Sequence, residues 1–337
     1  MTTYKEIFGK PIKVVSSDPT DAGAEGQIWY NSTLGSFRSV VAGGAWASGA
    51  PLSTARNTIA GAGIQTAALM IGGNNPGAAQ KGNVEEFNGS GYSEINDLNT
   101  ARSQSGAAGT TSAAVAFGGD VYPTSPRNTG ATEEYSGSSW SEQNDLGTAR
   151  RSLVGLGTQT ASLGAGGYTT TIVTNVEEYD GSSWTAVNSL PTAKNSFGGA
   201  GIQTSALTFA GTTSPGAVAT SEEYDGTNWT TGGTMNTARS GVGRGSTGTQ
   251  NACLAFGGVI PPPAASNLNE QYDGTSWSVQ PTLSTARREG GAAGTSIAAL
   301  YSGGASPTYV AVTEEYNFTA NTITAAAWAS GGNMNTG

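Results

Sequence analysis

The chain has 337 residues, a formal net charge of −9, 12% charged and 36% hydrophobic residues, 51 glycines, one cysteine and no histidine. An acidic balance opposes nucleic acid, which is met by clustered Lys and Arg, and no apolar run is long enough to insert across a bilayer. The missing histidine removes Ser-His-Asp and Cys-His catalysis and imidazole metal sites, a lone cysteine forms no internal disulfide, and no GxxxxGK[ST] phosphate loop occurs.

Residues 1–44 stand apart from the rest of the chain. PIKVVSSDP reads as one strand and GQIWYNSTLGSFRSVV as a hairpin, with apolar runs on both sides of NSTLG. MTTYKEIFGKPIKVVSSDP lacks the apolar core of a secretory signal, so synthesis in a cytosol without a signal peptide is expected. Ala45-Trp46-Ala47-Ser48-Gly49 then opens the remainder, and it has a twin at Ala327-Trp328-Ala329-Ser330-Gly331.

From residue 45 to 337 one pattern is repeated. Thr-Ala-Arg/Lys recurs at Arg56, Arg102, Arg150, Lys194, Arg239 and Arg287, with spacings of 46, 48, 44, 45 and 48 residues. Each copy then has a small-residue run, a polar turn such as GTQT, and an apolar run ending in paired glycines, with Ala210-Gly211 as the fourth copy's departure. A variable loop leads to Glu-Glu-aromatic, except Glu270-Gln271-Tyr272, and then to a turn and Tyr92, Trp140, Trp184, Trp229, Trp277 or Trp328. Short runs of this kind between Gly, Asn and Asp turns predict four antiparallel strands per copy, and a period near 46 predicts a propeller or solenoid.

The order Arg, strand, Gly-Gly strand, loop, Glu-Tyr-Asp strand, Trp strand resembles the kelch repeat of β-propellers. The resemblance implies an all-β, kelch-type β-propeller with six kelch repeats. Two closures fit: seven blades, with the first 44 residues and Trp46 forming one of them, or six blades plus an N-terminal arm. Division of 337 residues by a period of about 48 favours seven. The sixth copy, ending at 333–337, is then expected to carry its own outer strand. The wording TARxxxAGxGTQTAALxFGG and TEEYDGSSW further resembles virion proteins of marine cyanobacterial bacteriophages.

That second resemblance implies a non-enzymatic phage virion structural protein, fibre- or tail-associated, located in the virion. Attachment to a host-surface glycan or receptor is the first expectation. The alternative is a capsid or tail decoration or connector that binds another virion protein through residues 1–44. No cofactor, nucleic acid or membrane insertion is expected; a homo-oligomer is left open, since no trimerisation segment is evident. The kelch-based copper oxidase activity does not carry over, because its His ligands are missing.

In an antiparallel four-stranded sheet, strands a to d from the axis outward, the d–a and b–c links leave on one face. The b–c links differ from copy to copy and the opposite turns are near-identical, so recognition is expected among Tyr122, Pro123, Arg127, Tyr168, Ile260, Pro261, Pro262 and Tyr309. The ring Arg56, Arg102, Arg150, Lys194, Arg239, Arg287 is a second candidate for binding an anion. A structural Arg–Glu pairing is the favoured account, since successive residues of the Glu pair face opposite ways. Asp180, Asp225 and Asp273 read as turn formers, and Cys253 as a packed small hydrophobe.

Overall fold

The computed structural model describes residues 3–7, 10–17, 28–77, 80–261 and 263–325. It is all β, and its chain contacts divide it into residues 1–45 with 318–337, and residues 46–317.

In the smaller unit Thr3–Ile7 pairs antiparallel with Lys10–Val15, which runs parallel to Ile28–Asn31, which returns antiparallel along the strand that begins at Ser36. The turn between the last two is made by Asn31, whose Oδ1 accepts the N–H groups of Thr33 and Leu34 at 3.0 Å each. Tyr30 and Phe37 close it edge-on at 5.2 Å.

The larger unit is built from the six copies. Four-stranded antiparallel sheets run, for example, Ala60–Ile64, Ala67–Ile71, Val84–Phe87, Tyr92–Ile95 in copy 1 and Val154–Thr158, Ala161–Ala165, Val176–Tyr179, Trp184–Ala186 in copy 3. Strands b are buried along nearly their whole length and strands d are largely exposed, so each sheet runs from a packed interior to a wet rim.

Two closed circuits of backbone hydrogen bonds join the copies. In the first, the second residue after each motif cation donates to its counterpart in the adjacent copy: Thr58 to Glu289 (2.7 Å), Glu289 to Gly241 (2.8 Å), Gly241 to Ser196 (2.7 Å), Ser196 to Ser152 (3.0 Å), Ser152 to Gln104 (2.8 Å) and Gln104 to Thr58 (3.1 Å). All six stations lie at φ between 51° and 59°, left-handed geometry that a non-glycine residue holds only when its surroundings enforce it.

In the second circuit, the last residue of each Gly-Gly pair donates to the carbonyl of the next copy's motif cation. Gly73 meets Arg102, Gly119 Arg150, Gly167 Lys194, Gly211 Arg239, Gly258 Arg287 and Gly304 Arg56, at 2.8 to 3.0 Å. Because Gly304 of the last copy returns to Arg56 of the first, the six copies form a closed round. The glycines are required there. A Cβ on Gly118 would sit 2.7 Å from the Arg150 carbonyl, at φ 62°.

The last sheet departs from expectation. In the strand order, the strand Thr313–Ala325 lies beside Ser36–Gly49, whose far end carries Trp46, and not beside an outer strand of its own. Trp46 stands 5.3 Å from Tyr316 and 5.0 Å from Phe256, as Trp184 stands 5.0 Å from Tyr179 and 4.5 Å from Phe117. It therefore fills the d position of copy 6. On this pairing Trp46 belongs to the sheet of copy 6, whereas the sequence groups it with residues 1–44. Trp328 and residues 333–337, assigned from sequence to that outer strand, lie outside the described residues.

Copy 4 breaks the glycine rule with Ala210 at φ 61°. Ala210→Gly is expected to raise stability by about 0.5–1 kcal/mol by relieving the left-handed strain, and Gly118→Ala to lower it by more than that. Chemical denaturation of both variants checks the two signs.

Candidate functional site

The motif cations lie on the d–a link ahead of the inner strand of each copy, and burial decides what they do. Arg56 is 1% exposed and the other five are 0% exposed. Each meets the first Glu of its own copy: Arg56–Glu85 at 3.0 Å, Arg239–Glu270 at 3.1 Å, and Arg102–Glu133, Arg150–Glu177, Lys194–Glu222 and Arg287–Glu314 in direct contact. The guanidinium groups also donate to carbonyls of strand b and the b–c link, as Arg150 does to Gly164 (3.0 Å) and Gly166 (2.9 Å). Burial lowers the pKa of Arg56, Arg102, Arg150, Lys194 and Arg239, and the paired Glu opposes this in each. These cations are spent inside the sheets, out of reach of a ligand.

The Glu carboxylate has a second task. It accepts the N–H three residues before the cation: Ser53 to Glu85 (2.8 Å), Asn99 to Glu133 (2.7 Å), Gly147 to Glu177 (2.6 Å), Asn236 to Glu270 (2.7 Å) and Ser284 to Glu314 (2.7 Å). In copy 4 that residue is Pro191, which has no N–H, and the Thr208 hydroxyl donates to Glu222 at 2.9 Å instead. Copies 1–3 and 5–6 carry Met70, Ala116, Gly164, Ala255 and Tyr301 where copy 4 has Thr208, so the substitution is matched to the proline.

The second Glu faces the other way and binds the next copy. Tyr179 donates to Glu134 (3.1 Å), Tyr224 to Glu178 (2.9 Å) and Tyr272 to Glu223 (2.5 Å). Copy 1 has Phe87 in place of that tyrosine, and at its seam with copy 6 the Tyr92 hydroxyl meets the Ser302 hydroxyl instead. Burial raises the pKa of Glu315 on the other side of that seam.

The variable links form the rim. Tyr168 of copy 3 lines a groove of about 700 Å³ with Thr170, Ile172, Thr213, Pro215 and Val218, and Thr192 and Ala193 complete it, so b–c and d–a links share this face. Tyr122 and Pro123 line a second groove, about 490 Å³, with Gln80, Asn99 and Thr100. Tyr309 lines a third, about 400 Å³, with Pro76 and Gly77. Ile260 and Pro261 belong to a separate small hairpin, Val259–Ile260 with Ala264–Ala265; Pro262 lies outside the described residues. The rim residues expected from sequence are thus spread over several grooves and do not converge on one.

Side chains that the sequence did not single out hold the rim in place. Asp120, 1% exposed, accepts Arg127 Nε at 3.1 Å and pairs with its guanidinium, which stacks 5.1 Å from the Tyr122 ring. Arg151 lies 4.8 Å over Tyr168 and donates to Asn128 at 3.0 Å. The opposite face, read from sequence as repetitive turns, exposes Ile64, Ile202 and Ile297 by more than half. The signal for the first two was an apolar residue directly before each Gln-Thr turn.

The Asp turns are closed by their own backbone. Asp180 Oδ1 accepts Ser182 and Ser183 N–H at 2.8 Å each, and Asp225 and Asp273 repeat this with residues two and three positions on. Those bonds pull Asp180 down to about 2, with Ser183 N–H the leading cause. Cys253 is fully buried in Ala252–Phe256, and burial pushes its thiol up.

Both kinds of carboxylate give a measurable outcome. Glu177→Gln leaves Arg150 buried and uncompensated, and a loss of about 3–5 kcal/mol in unfolding free energy is expected by denaturant titration. Asp180, depressed in the folded state, adds stability above its ordinary titration range and loses it as the pH falls toward about 2. Carboxyl NMR titration should place it near 2, and Ser182→Ala should raise it.

No protein-family model matches the sequence, and no curated protein matches it. Among solved structures the chain is similar to YjhT, with a TM-score of 0.65 and 12% identity over 79% of this chain and 96% of that one. A likeness at that identity speaks for the fold alone, and together with the four-stranded antiparallel sheets it makes this an all-β structure of the β-propeller type.

Proposed function

We propose that the chain is a non-enzymatic, kelch-type, six-bladed propeller of a bacteriophage particle, and that its variable face attaches to a host-surface glycan. The observation that carries the reading is the rim of neutral grooves, lined by Tyr, Thr, Pro, Asn and Gln, set between successive copies. Aromatic faces and fixed hydroxyl and amide groups suit the apolar faces and hydroxyls of a sugar. The blade number is supported by the two closed hydrogen-bond circuits. The phage setting rests on the resemblance in wording. The lack of catalysis is supported by the absence of histidine and by the use of both Glu residues of copies 2, 3 and 4 in internal bonds.

A second reading keeps its own observation: residues 1–45 form, with 318–337, a unit separate from the propeller, as a docking element for another virion protein would.

The purified full chain is expected to bind cells of its host and a neutral saccharide on a glycan array. Tyr168→Ala or Tyr122→Ala should each weaken the groove it lines by about tenfold, the usual cost of removing an aromatic anchor. Absence of any cell or glycan binding would remove attachment, and loss of particle incorporation on deleting residues 1–44 would then select the docking reading.

A further inference from the structure

The propeller axis holds a cation that the repeat does not account for. Copy 5 spans 18 residues from Arg239 to Gly257 where the others span 16, and the longer segment carries Arg244. Arg244 is 5% exposed and lines an axial cavity of about 10 Å³ with Ser105, Gly61, Gly106, Gly155 and Phe197. Its Nη2 reaches only the carbonyls of Ser105 (3.4 Å) and Leu153 (3.5 Å), and its Nε has no hydrogen-bond partner. Ser105 Oγ, in a residue 2% exposed, also has none. At the Ser105 station the other copies carry Ile59, Leu153, Phe197, Val242 and Gly290, so a small polar residue stands opposite the extra cation alone.

The six motif cations set the rule for burying positive charge in this fold: each has a carboxylate. Arg244 has none within 4.0 Å among the described residues; Glu289 acts on it only at longer range, its Oε2 already held by Asn57 Nδ2 at 3.0 Å. A buried charge without a partner is rare because its desolvation goes uncompensated. We propose that the axial cavity is a binding site for a single monoatomic anion, chloride by chemistry and abundance, held by the Arg244 guanidinium and the Ser105 hydroxyl. The free space is small, about 10 Å³, and suits a compact monoatomic ion better than sulfate, phosphate or a carboxylate. Water fits the space but supplies no counter-charge.

Two measurements on the full chain test this. Crystals of the unaltered protein grown in sodium bromide should show one anomalous peak in the cavity, in contact with Arg244; water alone there would overturn the proposal. Melting temperature should rise by roughly 2–4 °C as chloride replaces gluconate at constant ionic strength. The rise should vanish in Arg244→Met and need about tenfold more chloride in Ser105→Ala. An equal rise in all three proteins would show a non-specific salt effect and defeat the assignment. Should Arg244→Met fail to fold, the bromide peak and the Ser105→Ala titration decide.

Discussion

The buried cation ahead of each inner strand is the constraint on which the rest depends. Its side chain is tied to the third strand of its own copy through Glu, and its carbonyl is tied to the glycine pair of the copy before. One residue thus fixes both the internal register of a sheet and the seam to its neighbour. A buried ion pair is weak evidence for net stability, because desolvation offsets most of the Coulomb attraction. What it supplies is a penalty for error: a strand slipped by one residue would turn Glu177 outward and, in one of the two directions, bring the apolar Val176 to Arg150 in its place.

Copy 4 shows how strictly that constraint is kept. Pro191 removes a donor from the carboxylate, Lys194 replaces the planar fork of Arg with a single ammonium, and Thr208 brings a hydroxyl to the same Glu222. The carboxylate keeps its partners although their chemistry has changed. The rim is under no such demand. Its loops start from glycine pairs held by the second circuit and are closed at the base by bonds such as Gly72 N–H to the Asn83 carbonyl (2.9 Å), so their composition is free to differ between copies. Rigid sheets and variable loops thereby coexist in one repeat.

How much of this could be read from sequence depends on period. The basic residue and the first Glu recur in the same order in every copy, 27 to 31 residues apart, and strand alternation alone says that one member of a Glu pair faces inward, so their meeting was legible. The glycine pairs announced a close backbone approach but not its partner, which lies in the following copy. The closing strand was not legible, because AWASG occurs at both Trp46 and Trp328 and no local feature ranks one above the other. Tyr122, Tyr168 and Tyr309 were picked from the right links, yet only coordinates show that they line separate grooves. Arg244 was hidden in a segment that still matched the motif on both sides.

The strand carrying Trp46 also governs the order in which the molecule can be completed. Copies 1 to 5 are sequence-local sheets whose strands meet soon after they leave the ribosome. The last sheet must wait with an open hydrogen-bonding edge until residues made some 270 positions earlier return to cover it. A nascent chain stalled before copy 6 would therefore present two unpaired flanks, one at each end, each a template for joining another copy of itself.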